Sequence, residues 1–194
     1  LYGEKFHCWK KKGHGFMDMR DGIKQSCDIY FYEVARKLGI DRLSVTAEKF
    51  GLGKQVLKDF IEERNGVVPN TEWKKKYIGK NWYLGETLHA GIGQGYWQSS
   101  PLQLCLMTAQ IANGGYKIRP RIIINEKEKN QFEDLNQFIE DRKMFSDDQI
   151  SLYDFINKFK YKSLFDNPEN IKFVQDALFA ATNEPGGTSY GSRL

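Results

Sequence analysis

Residues 26–39 read Ser-Cys-Asp-Ile-Tyr-Phe-Tyr-Glu-Val-Ala-Arg-Lys-Leu-Gly, and the architecture around them follows from this stretch. Four apolar side chains recur at helical spacing and predict a helix with one apolar face: Phe31, Val34, Ala35 and Leu38. Gly39 predicts the end of that helix. On the other side, Asp18 predicts the cap of a short helix that runs to about Gln25, so Ser26 begins a corner between two helices.

Further helices are predicted on the C-terminal side of this corner. Asp41 predicts the cap of a helix that buries Leu43, Ala47 and Phe50, whereas residues 54–88 show poor periodicity and predict a long, partly ordered connection. Ser100 followed by Pro101 predicts the start of a helix that is apolar all round and therefore buried. Residues 116–124 predict an edge strand, because they are rich in β-branched side chains and contain a proline.

The last third of the chain predicts an insertion followed by two helices. Residues 125–150 carry eight carboxylates against four basic side chains, which is typical of a solvated surface insertion. The apolar positions of the two helices are Leu152, Phe155, Ile156 and Phe159, then Ile171, Val174, Leu178 and Ala181. The whole is mostly helical, so we expect the strands of an α/β partner layer outside these residues.

The length and charge of the chain limit the classes of function it can have. The chain has 194 residues of which 40% are hydrophobic, enough for a buried core, and its 29 basic against 25 acidic side chains do not impose nucleic-acid or membrane binding. A weak alternative is a nucleic-acid surface of Lys74 to Lys76 with aromatic neighbours. Because the sequence begins at Leu1, without an initiator Met or a signal segment, we expect it to be an excerpt of a longer protein.

Three residues near the N-terminus predict a metal site. Cys8, His14 and Cys27 provide two thiols and an imidazole, which are the ligand types that zinc prefers. A fourth ligand would come from outside the sequence or from water. Cys105 lies in an apolar helix and is expected to serve packing.

Ser26 and Asp28 are the candidate catalytic residues. A hydroxyl that relays a proton and a carboxylate that orients an amide could face one cleft from the predicted corner. On residue type alone, an N-cap is the commoner role for such a pair.

Two glycine-rich segments have simpler interpretations. Residues 187–191 match the nucleophile pattern G-x-S-x-G, but all three histidines precede them, so a surface turn is favoured. Residues 91–95 are interpreted as a turn that lets backbone pass close to another element, rather than as a phosphate loop.

Several ordered motifs together resemble a known family. They are Cys8-Trp9, Gly13-His14-Gly15, Ser26-Cys27-Asp28-Ile29-Tyr30-Phe31-Tyr32, Leu38-Gly39-Ile40-Asp41, Phe50-Gly51-Leu52-Gly53, Gly91-Ile92-Gly93-Gln94-Gly95-Tyr96, Ser100-Pro101-Leu102-Gln103 and Gly186-Gly187-Thr188. Their order and separations resemble the transpeptidase domain of class B penicillin-binding proteins, in the penicillin-binding protein 2 branch of rod-shaped Gram-negative bacteria.

The resemblance implies the α/β, penicillin-recognising serine transpeptidase fold, also seen in β-lactamases, with residues 1–194 forming part of one domain dominated by its helices. It implies a D-Ala-D-Ala transpeptidase that cross-links peptidoglycan stem peptides and reacts with β-lactams. Of the three family motifs, only S-x-D is present, at Ser26 and Asp28; S-x-x-K and K-T-G are expected outside the chain, so this excerpt alone should be inactive. Ser26 would relay a proton and Asp28 would hold the substrate amide.

The resemblance also implies a structural zinc at Cys8, His14 and Cys27, with an upstream aspartate as fourth ligand. It further implies a bacterial inner-membrane protein, anchored outside these residues, whose domain faces the periplasm and works with other cell-elongation proteins rather than nucleic acid. The alternative is a catalytically silent scaffold of the same fold.

Overall fold

A computed structural model describes residues 5–57, 62–120 and 162–192. These ranges contain seven α-helices, and their bounds are α1 Met19–Lys24, α2 Asp28–Leu38, α3 Ile40–Lys49, α4 Thr71–Ile78, α5 Leu84–Gly91, α6 Pro101–Ala112 and α7 Pro168–Asn183. A 3-10 turn follows at Tyr190–Ser192. None of the helices in these ranges has the length and apolarity needed to cross a bilayer.

The predicted helix starts are mostly confirmed. Asp18 caps α1 by accepting a hydrogen bond from the Asp21 amide, and Ser100 caps α6 in a reciprocal capping box with Gln103. The prediction that Asp41 caps α3 is wrong. Its carboxylate instead accepts hydrogen bonds from the amide and hydroxyl of Thr71 at the start of α4, because α3 already begins at Ile40.

The connection predicted for residues 54–88 contains one helix, α4, and the start of a second, α5, neither of which periodicity indicated. Asn70 caps α4, and α5 starts with a capping box in which Glu86 accepts a hydrogen bond from the Tyr83 amide. Both helices have only eight residues, which is too short for a stripe to be visible in the sequence.

Helix α6 is less buried than predicted: two of its buried side chains are glutamines, and several of its apolar side chains face solvent. Gln103 and Gln110 are buried and donate hydrogen bonds to the backbone carbonyls of Lys54 and Phe50. Leu104 is 45% exposed, and Cys105, expected to serve packing, is also exposed. The polar face of α6 is therefore the one that ties distant loops together.

Helix packing brings the two sides of the corner together. Helix α2 packs mainly on α5, where a Cβ at Gly91 would lie 2.4 Å from the Ala35 Cβ, so within residues 91–95 the predicted close approach occurs at Gly91, the last residue of α5. Helix α1 packs mainly on α7. The inward residues of α2 include Tyr32 and Ala35, whereas Leu38 at the end of the predicted stripe is 41% exposed.

Little β structure occurs in the described ranges. Two isolated antiparallel bridges join Val67 to Gln98 and Tyr116 to Ser163. Tyr116 is the first residue of the predicted edge strand, whose end lies outside the described residues, as do the acidic segment 125–150 and the helix predicted around Leu152. Helix α7 confirms the last predicted helix, with Ala177 and Ala180 fully buried and Leu178 44% exposed.

Candidate active site and metal centre

Ser26 occupies a strained backbone position at the end of α1. Its amide donates to the carbonyl of Ile23, and the Cys27 amide donates to the carbonyl of Gly22, which is the Schellman pattern of a helix terminus. In this pattern the residue at the position of Ser26 has left-handed backbone and is normally a glycine. Ser26 has a φ of 50°, and no other non-glycine residue in the described ranges has a positive φ.

The side chain of Ser26 is exposed and is paired with a distant residue. Its Oγ lies 3.0 Å from the Oγ1 of Thr188, in the loop that follows α7. Strained backbone positions of this kind cluster at functional sites, which makes Ser26 a candidate for a functional role.

Trp9 holds both ends of the corner. Its indole Nε1 donates to the carbonyl of Ser26 at 2.8 Å, and its backbone amide donates to Oδ2 of Asp28 at 2.9 Å. Asp28 is the first residue of α2, where a carboxylate also interacts favourably with the helix dipole. Trp9 thereby links the backbone carbonyl of Ser26 to the carboxylate of Asp28, whereas the Ser26 hydroxyl contacts Thr188.

The predicted metal ligands form a compact cluster beside this corner. One ligand atom from each of Cys8, His14 and Cys27 lies within 4.8 Å of the others, and Cys8 Sγ lies 3.4 Å from His14 Nδ1. Cys27 is 5% exposed, and burial, with the nearby Cys8, raises the pKa of its thiol.

The donor set fits a zinc ion on two observations. His14 Nε2 is buried without a hydrogen-bond partner, and such orphaned nitrogens are unusual unless a metal or water satisfies them. Structural zinc sites are tetrahedral and are commonly built from cysteine and histidine ligands, so these two sulfurs and one imidazole would need one more ligand to complete such a site.

A charged network fixes α1 against the end of α7. Arg20 contacts Asp176 and Glu184 at 2.5 and 2.6 Å, and Lys24 contacts Glu184 at 2.7 Å. Hydrogen bonds from Arg20, and then from Lys24, lower the pKa of Glu184 to about 2. The network places the loop after α7 next to the last turn of α1, where Ser26 is located.

The sequence singled out Ser26 and Asp28 as candidate catalytic residues and three candidate metal ligands, but it assigned no role to Trp9 or Thr188. The available signals were weak: a tryptophan adjacent to Cys8, and a threonine after two glycines. Lys74, considered as part of a basic surface, is 2% exposed and pairs with Glu86, so it does not contribute to such a surface.

Comparisons with known proteins show the family to which the chain belongs. Residues 1–191 match the family model described as penicillin binding protein transpeptidase domain. The chain is 41% identical over 119 residues to the peptidoglycan D,D-transpeptidase MrdA of Salmonella typhimurium, covering 61% of this chain and 19% of that protein. The chain thus spans about a fifth of the length of the curated relatives it matches.

Solved structures are similar over nearly all of the chain. Pseudomonas aeruginosa PBP2 in complex with WCK 5153 matches with a TM-score of 0.74 and 31% identity, covering 98% of this chain and 38% of that one. PBP2 of Helicobacter pylori, in its complex with MreC, matches with a TM-score of 0.75 and 28% identity, covering 98% and 30%.

Proposed function

The chain belongs to the family of penicillin-binding protein transpeptidase domains, and on that premise we propose that it is part of a peptidoglycan D,D-transpeptidase. Its fold is the expected penicillin-recognising fold, of which the described residues contribute helices and few strands. The serine nucleophile of S-x-x-K and the K-T-G motif belong, in this proposal, to residues outside the 194, because neither motif occurs in the sequence.

The observation that carries the proposal is the fixed S-x-D corner. Ser26 is accessible, strained and held through its carbonyl, while Asp28 is held by the same tryptophan. A corner used only to connect two helices would not need a hydroxyl in left-handed backbone, where glycine costs less free energy.

In the proposed reaction, the external serine attacks the carbonyl between the two D-alanines of a stem peptide. The C–N bond breaks as the acyl-enzyme forms, and the leaving nitrogen must gain a proton. The hydroxyl of Ser26 gives its proton to that nitrogen and takes one from the protonated external lysine, so the serine is unchanged. The amine of a second stem peptide then attacks the ester, the ester C–O bond breaks, and the proton that the amine loses returns to the oxygen of the external serine. β-Lactams imitate the first substrate.

Asp28 positions the substrate in this proposal. Its Oδ2 accepts the hydrogen bond from the Trp9 amide, and an ionised carboxylate retains further lone pairs. These can accept a hydrogen bond from a substrate amide N–H, whereas they cannot donate one to a carbonyl. We therefore expect Asp28 to orient the amide through its nitrogen.

We also propose that Cys8, His14 and Cys27 hold a structural zinc. The ion would fix the segment that carries Trp9 to the S-x-D corner, since Trp9 follows one ligand and Cys27 lies between Ser26 and Asp28. Bound zinc would also protect the thiols from oxidation in the periplasm, the compartment proposed for this domain. The proposed partners are peptidoglycan stem peptides, β-lactams and other cell-elongation proteins, in a protein anchored in the inner membrane outside these residues.

A fluorescent penicillin tests the proposed activity in the full-length protein. The wild type should be labelled covalently, and Ser26→Ala should lower the acylation rate constant by about 10²- to 10⁴-fold, the range for a lost proton-transfer group. Ser99→Ala is a matched control, because Ser99 is also exposed but lies away from the corner. A full-length protein that is never labelled would support the silent scaffold and refute the transpeptidase.

A further inference from the structure

The loop after α7 reaches the Ser26 corner through Thr188. The amide of Thr188 donates to the carbonyl of Lys24 at 3.0 Å, which fixes its backbone against the last turn of α1. Its hydroxyl lies 3.0 Å from Ser26 Oγ and 3.4 Å from the Lys24 carbonyl oxygen. A residue 162 positions away in the sequence thus contacts the proposed relay hydroxyl.

The loop is built to hold this position. A Cβ on Gly187 would lie 2.3 Å from the carbonyl oxygen of Ala181, so only glycine allows the chain to pass so close to α7. The Ser189 amide donates to the same carbonyl, and Glu184 at the start of the loop binds Arg20 and Lys24. Thr188 is therefore fixed from both sides by backbone contacts and by the α1–α7 ion pairs.

The two hydroxyls have few ways to arrange their protons. Each carries one hydrogen, and Thr188 has two acceptors within reach, Ser26 Oγ and the Lys24 carbonyl. When Thr188 donates to Ser26, the Ser26 hydrogen points away from Thr188 and is free for another acceptor. When Ser26 donates to Thr188, its lone pairs face outward and can accept a proton.

We propose that Thr188 is a positioning residue for the transpeptidase reaction: it fixes the rotamer of Ser26 and allows its hydroxyl to switch between donor and acceptor. This inference rests on the proposed function of Ser26. A proton relay needs both states in turn, because it must accept one proton and give another. The alternative acceptor at Lys24 lets Thr188 follow each switch without losing its own hydrogen bond.

The test measures penicillin acylation by stopped flow in the full-length protein, separating the acylation rate constant from the dissociation constant of the noncovalent complex. Thr188→Val keeps the shape but removes the hydroxyl, and Thr188→Ser keeps the hydroxyl. We expect Thr188→Val to lower the acylation rate constant about tenfold, the effect of one lost hydrogen bond, with an unchanged dissociation constant. Thr188→Ser should stay within about threefold of wild type. Thr46→Val, on the exposed face of α3, is the matched control.

A double-mutant cycle separates positioning from a general structural role. In the Ser26→Ala background, Thr188→Val should cause no further loss, because the hydroxyl it positions is absent. An equal loss in both backgrounds, or wild-type acylation by Thr188→Val, would overturn the proposal. If Ser26→Ala slows acylation and Thr188→Val does not, only this inference fails; if Ser26→Ala acylates like wild type, the proposed role of Ser26 fails with it.

Discussion

The Ser26 corner and the Lys74–Glu86 pair both join polar groups from different segments, but they differ in exposure and in strain. Lys74 is 2% exposed, contacts Glu86, and lies 4.7 Å from the ring centroid of Tyr83. Glu86 also accepts from the Tyr83 amide and the Tyr96 hydroxyl. Ser26, in contrast, is exposed and has left-handed backbone, and the next residue, Cys27, belongs to the cluster that contains the unsatisfied His14.

This difference is what we expect if the Lys74 pair supports the fold and the Ser26 corner carries the proposed chemistry. A buried charge that is fully paired costs much free energy when its partner is removed, but it offers nothing to a ligand. An accessible hydroxyl held in unfavourable backbone costs stability and remains available to react. Changes at the Lys74 pair should therefore affect unfolding, and changes at the corner should affect acylation.

Removing a metal ligand should have the largest effect on the metal content of the protein. We expect the full-length wild type to contain about one zinc per chain and Cys27→Ser to contain almost none, because three protein ligands become two. Acylation should fall at least about tenfold, as the support of Trp9 is lost. Elemental analysis and penicillin labelling measure both. Cys105→Ser, an exposed cysteine outside the cluster, should match wild type. Equal zinc and equal acylation in Cys27→Ser would contradict the zinc proposal.

Breaking the Lys74 pair should give the largest loss of stability. Glu86→Gln leaves the Lys74 ammonium without its partner and should lower the free energy of unfolding by roughly 3 kcal/mol, the low end for a buried pair because Glu86 is 25% exposed. Chemical denaturation measures it. Glu48→Gln, which breaks the surface contact to Lys54 at 3.4 Å, should change it by less than about 0.5 kcal/mol. If both variants lowered the free energy of unfolding by the same small amount, the proposed role of the Lys74–Glu86 pair in supporting the fold would be wrong.

Two substitutions at Ser26 should separate strain from chemistry. Ser26→Gly and Ser26→Ala both remove the hydroxyl, so acylation should be equally slow in the two variants. Glycine accepts a φ of 50° without a Cβ clash, so Ser26→Gly should be about 1 kcal/mol more stable than Ser26→Ala. Thermal unfolding of the pair measures this difference, and equal midpoints would mean that the corner is not strained.

The smallest expected effect is the acid response of the α1–α7 network. Glu184 has a pKa of about 2 in the folded chain, below the value of about 4.3 for an unfolded glutamate. Its contribution to stability is therefore complete above about pH 4.3 and is lost as the pH falls towards 2. Glu184→Gln should lower the unfolding midpoint at pH 7 and flatten its fall below pH 4. Glu72→Gln, at the exposed start of α4, should leave the profile unchanged.

What could be predicted from the sequence was mainly local. Asp18 and Ser100 correctly predicted the starts of α1 and α6, because a cap depends only on neighbours about three residues away. The Schellman position of Ser26 was not foreseen, because that position is normally recognised by a glycine. The burial of Lys74, which the sequence offered as part of a weak nucleic-acid surface, could not be predicted, since nothing nearby in the sequence reveals its contacts with Glu86 and with the ring of Tyr83.

The sequence predicted which residues the candidate site would contain, and the structure brings the three candidate ligands together, but the residues that support the site were not predicted. Cys8, His14 and Cys27 stood out by residue type, and family resemblance connected them to Ser26 and Asp28. Thr188 joins the corner only through packing of α7 on α1, which depends on contacts between opposite ends of the chain. Residue type and spacing carry no signal for such a contact.

The separation of Ser26 and Thr188 has a consequence for synthesis. A ribosome adds about 5–20 residues per second, so roughly 10–30 s pass between the emergence of Ser26 and that of the threonine 162 positions later. During that interval the nascent corner can form its helix terminus, but its hydroxyl has no threonine to pair with. Complete ordering of the hydroxyl pair is therefore a late event in the maturation of this polypeptide.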